Sequence, residues 1–244
     1  MSQIIKTKAI VLKKVDFSDS SRIATLFTEE FGKMSFIIKG ARSAKSKIGM
    51  LIDTFNVLQI VFYKKPGRDV QIITQADLIK HHTKIMEDLE KLKYASAVIE
   101  LLLKLTVEEE IHSKLFIGSE KILKLFNESN DMKFLFLKYL MFITKDIGYE
   151  INLESCSICE TPFSKTKSMK YNHEIGMMCY SCGKDRVYTN EFSLELFNLL
   201  ASLSSRNNES RGSDADINRL INFLERFLMY HIQEFNGIKS LHIF

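Results

Sequence analysis

The apolar residues of this chain change their period near His82, and that change limits the folds open to it. Ahead of it lie five short stretches rich in β-branched and aromatic residues: Ile4 to Val15, Arg22 to Phe27, Lys33 to Lys39, Phe55 to Tyr63 and Val70 to Ile79. Their joints carry turn chemistry, as in Asp16-Phe17-Ser18-Asp19-Ser20, Glu30-Phe31-Gly32 and Lys65-Pro66-Gly67-Arg68-Asp69. Five strands within residues 1–82 suit a small closed barrel, and the interval from Ser43 to Leu51 leaves room for one short helix.

After His82, Ile85, Leu89, Leu92, Ile99 and Leu103 recur at helical spacing. Thr106-Val-Glu-Glu109 has the form of a capping box, which predicts a helix start with Glu108, Glu109 and Glu110 in its first turn. Helical patterns run from Val107 to Phe126 and from Asp131 to Ile147, where Asp146-Ile147-Gly148 reads as a stop. Residues 151–190 break the period with four cysteines and many polar residues. A helix is expected again from Glu191 to Leu203, then a polar loop from Asn207 to Ser213. Ser213-Asp-Ala-Asp216 caps a last helix with Ile217, Leu220, Ile221, Leu224, Phe227, Leu228 and His231 on one face. The expected architecture is α+β and multidomain: a five-stranded barrel over 1–82, then a helical domain over 83–244 that contains a cysteine module at 151–190.

With 45% hydrophobic residues and only two prolines, the chain can bury a sizeable core and has no long linker tract. The longest apolar run, Phe134 to Ile143, contains Lys138 and is too short to span a bilayer. The opening MSQIIKTKAIVLKK lacks the uninterrupted apolar region of a signal peptide, so a cytoplasmic address is expected. The net charge of +4 is unevenly placed: residues 1–82 hold fourteen Lys or Arg against seven Asp or Glu. No acid interrupts the chain between Glu30 and Asp53. Such a local excess favours an anionic partner over a membrane or a small-molecule substrate.

The cysteines form two hooks, Cys156-x-x-Cys159 and Cys179-x-x-Cys182, separated by nineteen residues. Each hook can aim two thiolates at one cation, and two hooks complete a tetrahedron with Zn–S bonds of about 2.3 Å. Gly183, after the second hook, suits a turn in which backbone amides approach the sulfurs. A filled tetrahedron leaves no position for water, so the zinc expected here is structural. Iron is chemically open to the same four thiolates, and His173 between the hooks is an alternative ligand. Disulfides fit a cytoplasmic chain less well, and a redox dithiol needs a single hook at a helix start.

Phosphate-loop, HExxH, GxSxG and GxGxxG patterns are absent. The six histidines fall at no ligand or triad spacing, and the paired Asp16 and Asp19 sit in a turn that needs them for its own backbone. A non-catalytic binding role is the expectation. A basic barrel can follow a phosphate backbone with cations while aromatic faces stack on bases. The candidate cations are Lys13, Lys14, Arg22 and Lys33, then Lys39, Arg42, Lys45 and Lys47, then Lys64, Lys65 and Arg68. Phe17 and Tyr63 are the candidate stacking residues.

In order along the chain, TKAIVLKKVDFSDSSRIATLFTEEFGKMSFIIKGARSAKS, GYEINLESCSIC, MMCYSCG and FNGIKSLHIF resemble segments of the RecO family of bacterial DNA repair and recombination proteins. The resemblance spans the whole length. It implies an N-terminal OB-fold, a helical C-terminal domain and a zinc module inside it. It also implies binding of single- and double-stranded DNA, annealing of complementary strands, and partnership with RecR and single-strand-binding protein in loading RecA at gaps. Contact with the acidic tail of single-strand-binding protein needs a basic edge around an apolar groove, for which Lys121, Lys124, Arg219 and Arg226 are candidates. Two departures stand out: Ser43 follows Arg42 where a second basic residue is often expected, and there is no tryptophan. A zinc-ribbon RNA-binding or transcription-associated factor is the alternative reading.

Overall fold

The computed structural model describes residues 3–204 and 211–243; the side chain of Lys165 is not described. The polar stretch expected from Asn207 lies outside the described residues as far as Ser210. Two compact units emerge: one made of Met1–Met132 with Ile238–Phe244, the other of Lys133–Gly237. Among the described residues, no helix is long and apolar enough to cross a membrane.

The first unit is built on a closed five-stranded barrel of OB type: β1 (Gln3–Phe17), β2 (Ser21–Thr28), β3 (Gly32–Ile38), β4 (Val57–Lys64) and β5 (Val70–Lys80). The strand order is β1-β2-β3-β5-β4, closed by β4 on β1. Strand β1 is long enough to serve two neighbours. Gln3 to Ile10 pairs with β4, Ala9 to Phe17 pairs with β2, and an irregularity between Val11 and Lys13 lets the strand bend between them. A short parallel pairing of Ser35–Ile37 with Val70–Ile72 completes the ring. Alternation fills the interior with Val11, Leu26, Phe36, Leu58, Ile60 and Phe62, all buried. Phe36 and Phe62 meet edge to face at 5.1 Å, and each such side chain contributes about 1.5–3 kcal/mol by leaving water. The short helix α1 (Lys47–Leu51) occupies the gap after β3, with Ser46 capping it through the Gly49 amide.

Helices α2 (Thr83–Glu87), α3 (Leu89–Leu105) and α4 (Ser113–Glu128) belong to the same unit. Asp88 caps α3 by accepting from the Glu90 and Lys91 amides at 2.8 and 3.0 Å. Helices α2, α3 and α4 thus pack with the barrel in the unit that runs to Met132. The physical reason lies in specific side chains. Phe27 of β2 meets Phe116 of α4 at 6.1 Å, and Lys33 of β3 reaches the end of α3. Lys33 is buried, and its Nζ donates to the carbonyls of Leu103 at 2.7 Å and Thr106 at 2.5 Å. These carbonyls belong to the last turn of α3, where the helix dipole favours a cation. Burial draws the Lys33 ammonium below the ordinary lysine pKa, and Glu108 opposes that shift.

Thr106 does not open a helix. It follows the last residue of α3 and its hydroxyl donates back to Leu102 at 2.6 Å. Glu108–Glu110 form no first turn. They run beside the start of β3, with the Glu109 amide donating to the Lys33 carbonyl at 2.9 Å and Glu109 at φ +58°. This is why Gly32 is a glycine: a methyl group there would lie 1.8 Å from the Glu110 carbonyl oxygen. Leu89, placed on the apolar stripe by its spacing, is 71% exposed at the first turn of α3.

The stretch after Ile238 returns to α3. Glu100 accepts from the Lys239 amide at 2.9 Å, the Ser240 amide at 2.8 Å and the Ser240 hydroxyl at 2.7 Å, while Lys104 pairs with it at 2.6 Å. Burial pushes the Glu100 carboxyl up, but Lys104 and Ser240 outweigh it and hold the group below the usual glutamate value.

In the second unit, α5 (Met132–Asp146) ends where expected, with Gly148 at φ +93°. A three-stranded antiparallel sheet follows, in the order β7 (Gly176–Cys179), β6 (Ser168–Asn172), β8 (Asn190–Ser193). Glu191, expected in a helix, lies in β8 because it pairs with Lys170; helix α7 (Leu194–Ser202) begins after it. The last helix, α8 (Asp214–His231), is capped by Ser213, which accepts from the Asp216 amide at 3.1 Å. It lays Phe227 of the expected face 6.2 Å from Tyr171 of the sheet, and Phe223, which that face omitted, lies 5.0 Å from both Tyr171 and Phe192. His231, at the end of that face, is exposed.

Two outcomes test this packing. Lys33→Met leaves two helix-end carbonyls without their donor, and urea denaturation should show a loss of about 1.5–3 kcal/mol; an unchanged midpoint contradicts the cap. The Glu100 contacts are present above about pH 4.5 and lost as pH falls through the lowered value of the folded state. Protection of the Ser240 amide from hydrogen exchange should therefore fall in acid, and in Glu100→Gln it should be weak at every pH.

Candidate metal centre and nucleic-acid surface

The two cysteine hooks meet. The sulfurs of Cys156, Cys159, Cys179 and Cys182 all lie within 4.8 Å of one another, and those of Cys159 and Cys179 are 3.7 Å apart. A tetrahedron with bonds of about 2.3 Å has edges of about 3.8 Å, so the four sulfurs have the spacing such a site needs. The first hook is a tight knuckle: the Cys156 amide donates to Thr161, the Glu160 amide donates to Cys156, and Glu160 takes φ +58°. The Ile158 amide points at the Cys156 sulfur at 3.5 Å. In the second hook Cys179 ends β7, and Cys182 sits on the short turn α6 (Tyr180–Gly183). The Ser157 amide donates to Met177 at 2.9 Å and ties one hook to the other. Gly183 leaves room for Lys170, whose stem would lie 3.0 Å from an added methyl group; its ammonium sits 4.1 Å from the centre of the Tyr188 ring.

The electrostatics of the cluster point to a cation. The Thr161 hydroxyl, 3.3 Å from the Cys159 sulfur, lowers that thiol to about 6, whereas hydrogen bonds with Cys159 and Cys179 push Cys182 up to about 12. Four thiolates this close repel one another, and a divalent ion at their centre removes that cost. The donor set therefore fits a metal held by four sulfurs. His173 is not among them. It stacks on Tyr230 at 4.4 Å and lies near Tyr171.

The candidate cations of the barrel fall into three groups. Lys33 is withdrawn into the α3 cap, so its place on a DNA-contacting surface is corrected by burial. Four more have protein partners at the surface. Arg22 donates to Asp16 at 2.9 Å and to the Gly49 carbonyl at 3.3 Å. Arg42 donates to the Ser18 carbonyl at 2.8 Å and approaches Asp16 at 3.5 Å. Asp16 thus fastens both arginines, and its hydrogen bond from Arg22 holds its carboxyl below the usual range. Lys14 pairs with Asp53 at 3.0 Å, and Lys64 lies 4.0 Å from Glu109 and 4.4 Å from the centre of the Phe31 ring.

The remaining group is Lys13, Lys39, Lys45, Lys47, Lys65 and Arg68. All are exposed, and none has an ion-pair partner among the described residues. Lys39 leaves β3, Lys45 and Lys47 flank the cap of α1, and Lys65 and Arg68 belong to the β4–β5 turn. Phe17, at the β1–β2 turn, is 49% exposed and Tyr63 is 42% exposed. Spacing alone could not reveal that Asp16 organises this surface, because its partners come from β2 and the β3–α1 connection.

The chain is similar to known proteins over its whole length. The family described as Recombination protein O N terminal matches residues 1–82, and Recombination protein O C terminal matches residues 86–242. A relative named DNA repair protein RecO from Chlorobium limicola is 35% identical over 66% of this chain and 62% of its own length. Its counterpart from Prosthecochloris aestuarii is 33% identical over 65% of this chain and 61% of its own length, so both matches cover less than two thirds of those relatives. The protein of the same name from Chloroherpeton thalassium is 28% identical over 99% of this chain and 98% of its own. With a barrel of OB type, four gathered cysteines and both halves of the sequence accounted for, this chain belongs to the RecO family of DNA repair proteins.

Proposed function

We propose that this protein is a non-catalytic, cytoplasmic mediator of DNA repair that binds single- and double-stranded DNA and anneals complementary strands. It works with RecR and the tail of single-strand-binding protein to load RecA at gaps. The observation that carries the reading is the set of exposed cations on the acid-free connection after β3, Lys39, Lys45 and Lys47, which have no ion-pair partner among the described residues. Annealing needs two strands brought together with neither locked in place. Flexible ammonium groups lower phosphate repulsion without fixing base edges, and base pairing then drives the reaction. Phe17 adds a face for stacking at the β1–β2 turn, one of the loops through which OB folds hold oligonucleotides. In this reading residues 1–82 carry DNA contact, and residues 83–244, with the module at 151–190, carry partner contact. Lys121, Lys124, Arg219 and Arg226 are exposed and supply candidate edges for an acidic tail.

The metal in this reading is zinc, held by Cys156, Cys159, Cys179 and Cys182. When bound it supplies cross-linking of the two hooks and no reactive position. The chain's own residues do the rest: Thr161 and the Ile158 amide stabilise thiolates, and the Ser157 amide holds the hooks in register.

Salt-titrated binding to single-stranded DNA tests the surface. Each lost phosphate contact should flatten the slope of log K against log salt by about 0.7, so Lys39→Ala/Lys45→Ala/Lys47→Ala should flatten it by about 2. Folded Lys33→Met should keep the parent slope. Unchanged affinity in the triple variant removes the connection from the mechanism, and equal annealing of RNA favours the RNA-binding alternative. Metal analysis should find about one equivalent of zinc, and Cys182→Ser should lose it together with stability. Less than about half an equivalent in a well-folded protein rejects the assignment.

A further inference from the structure

A cavity of about 330 Å³ opens in the second unit where α8 covers β6, lined by none of the four cysteines although Ser157 and Met177 border it. Its volume is at the small end of the about 300–1,000 Å³ usual for ligand sites, enough for one side chain. Its walls are aromatic: Tyr149, Tyr171, Phe227 and the imidazoles of His173 and His231. His173 is stacked on Tyr230 with only 15° between the rings, and His231 lies 4.5 Å from Phe227. The Nδ1 of His173 is buried away from solvent and has no hydrogen-bond partner among the described residues. At the mouth are the carboxylates of Glu150, which pairs with Lys145 at 2.5 Å, and Glu174, which is exposed on the β6–β7 turn. Among the described residues no lysine or arginine lines the cavity.

We propose that this cavity receives a guanidinium group, the side chain of an arginine on a partner polypeptide. Each feature selects for that chemistry. Aromatic faces attract a cation through their ring quadrupoles, and a planar guanidinium stacks on them. It is a donor only, which suits the carboxylate of Glu174. Glu174 supplies opposite charge at the entrance, and the same charge turns anions away. An ammonium would surrender a tighter hydration shell to enter the same space. Burial lowers the pKa of both imidazoles, and His231 adds to the effect on His173, so both are neutral near pH 7 and neither repels a cation. The other titratable groups facing the cavity or its rings are Tyr149, Tyr171, Tyr230, Glu150 and Glu174. None of these gains positive charge in acid, but Glu150 and Glu174 lose negative charge there, so the part played by the histidines is read from their own imidazole resonances.

The test uses the full chain, with ¹³C-labelled imidazoles followed by NMR during titration with N-acetyl-arginine amide. The lysine and glutamine analogues serve as comparisons. The expected result is a saturable shift of His173 and His231 with arginine, weaker with lysine and absent with glutamine, and weaker at pH 5 than at pH 7.5. Glu174→Gln, an exposed change that leaves the core intact, should weaken arginine by about threefold. His173→Phe, which keeps a ring against Tyr230, should remove the preference for arginine over lysine. The proposal is overturned if the arginine shift does not saturate at tens of millimolar, if glutamine matches arginine, if lysine binds more tightly, or if affinity rises in acid.

Discussion

The first unit depends on a single ammonium. Lys33 begins the third barrel strand, yet its Nζ lies at the carboxyl end of α3, bonded to the carbonyls of Leu103 and Thr106. At the surface Lys80 of β5 also pairs with Glu120 of α4 at 2.7 Å. Burial of a helix layer on a barrel is non-directional and tolerates sliding. Two short hydrogen bonds from a buried charge do not tolerate it, and they set how far α3 can run along the barrel. The neighbouring backbone follows from this. The chain leaving α3 passes beside β3 through Glu108 and Glu109 and comes so near Gly32 that no side chain fits there.

The second unit rests on a different device. Its sheet has three short strands, the fewest that hold together through a buried apolar face. Helix α8 covers that face through Phe223 and Phe227, and the cysteine hooks supply a cross-link. Tyr171 links the two devices: its ring packs under α8, while its strand pairs with β7, which ends in Cys179.

Much of this was legible in the chain itself, because period and spacing are local properties. Alternation located the barrel strands, and the hooks announced their own chemistry. What stayed hidden depends on where long side chains travel. Lys33 reads like Lys39 in the sequence, but one is buried in a helix cap and the other stands in water. Thr106 carries the pattern of a helix start and serves at a helix end, because a threonine followed by glutamates satisfies the pattern without satisfying the backbone. His173 and His231 fall at no informative spacing and meet only because α8 lies on β6. The pinning of Arg22 and Arg42 by Asp16 likewise needs three segments brought together.

The carboxylate of Glu100 has a consequence for how the chain is made. Its partners at Lys239 and Ser240 lie 139 and 140 residues further on. Contacts of such separation form late, since the intervening chain has to exist and close before they give anything back. On the ribosome the barrel and α3 emerge first, and the carboxylate on α3 cannot make these contacts until the residues between Glu100 and Ser240 have been added. An early element of the first unit thus waits for a segment made much later.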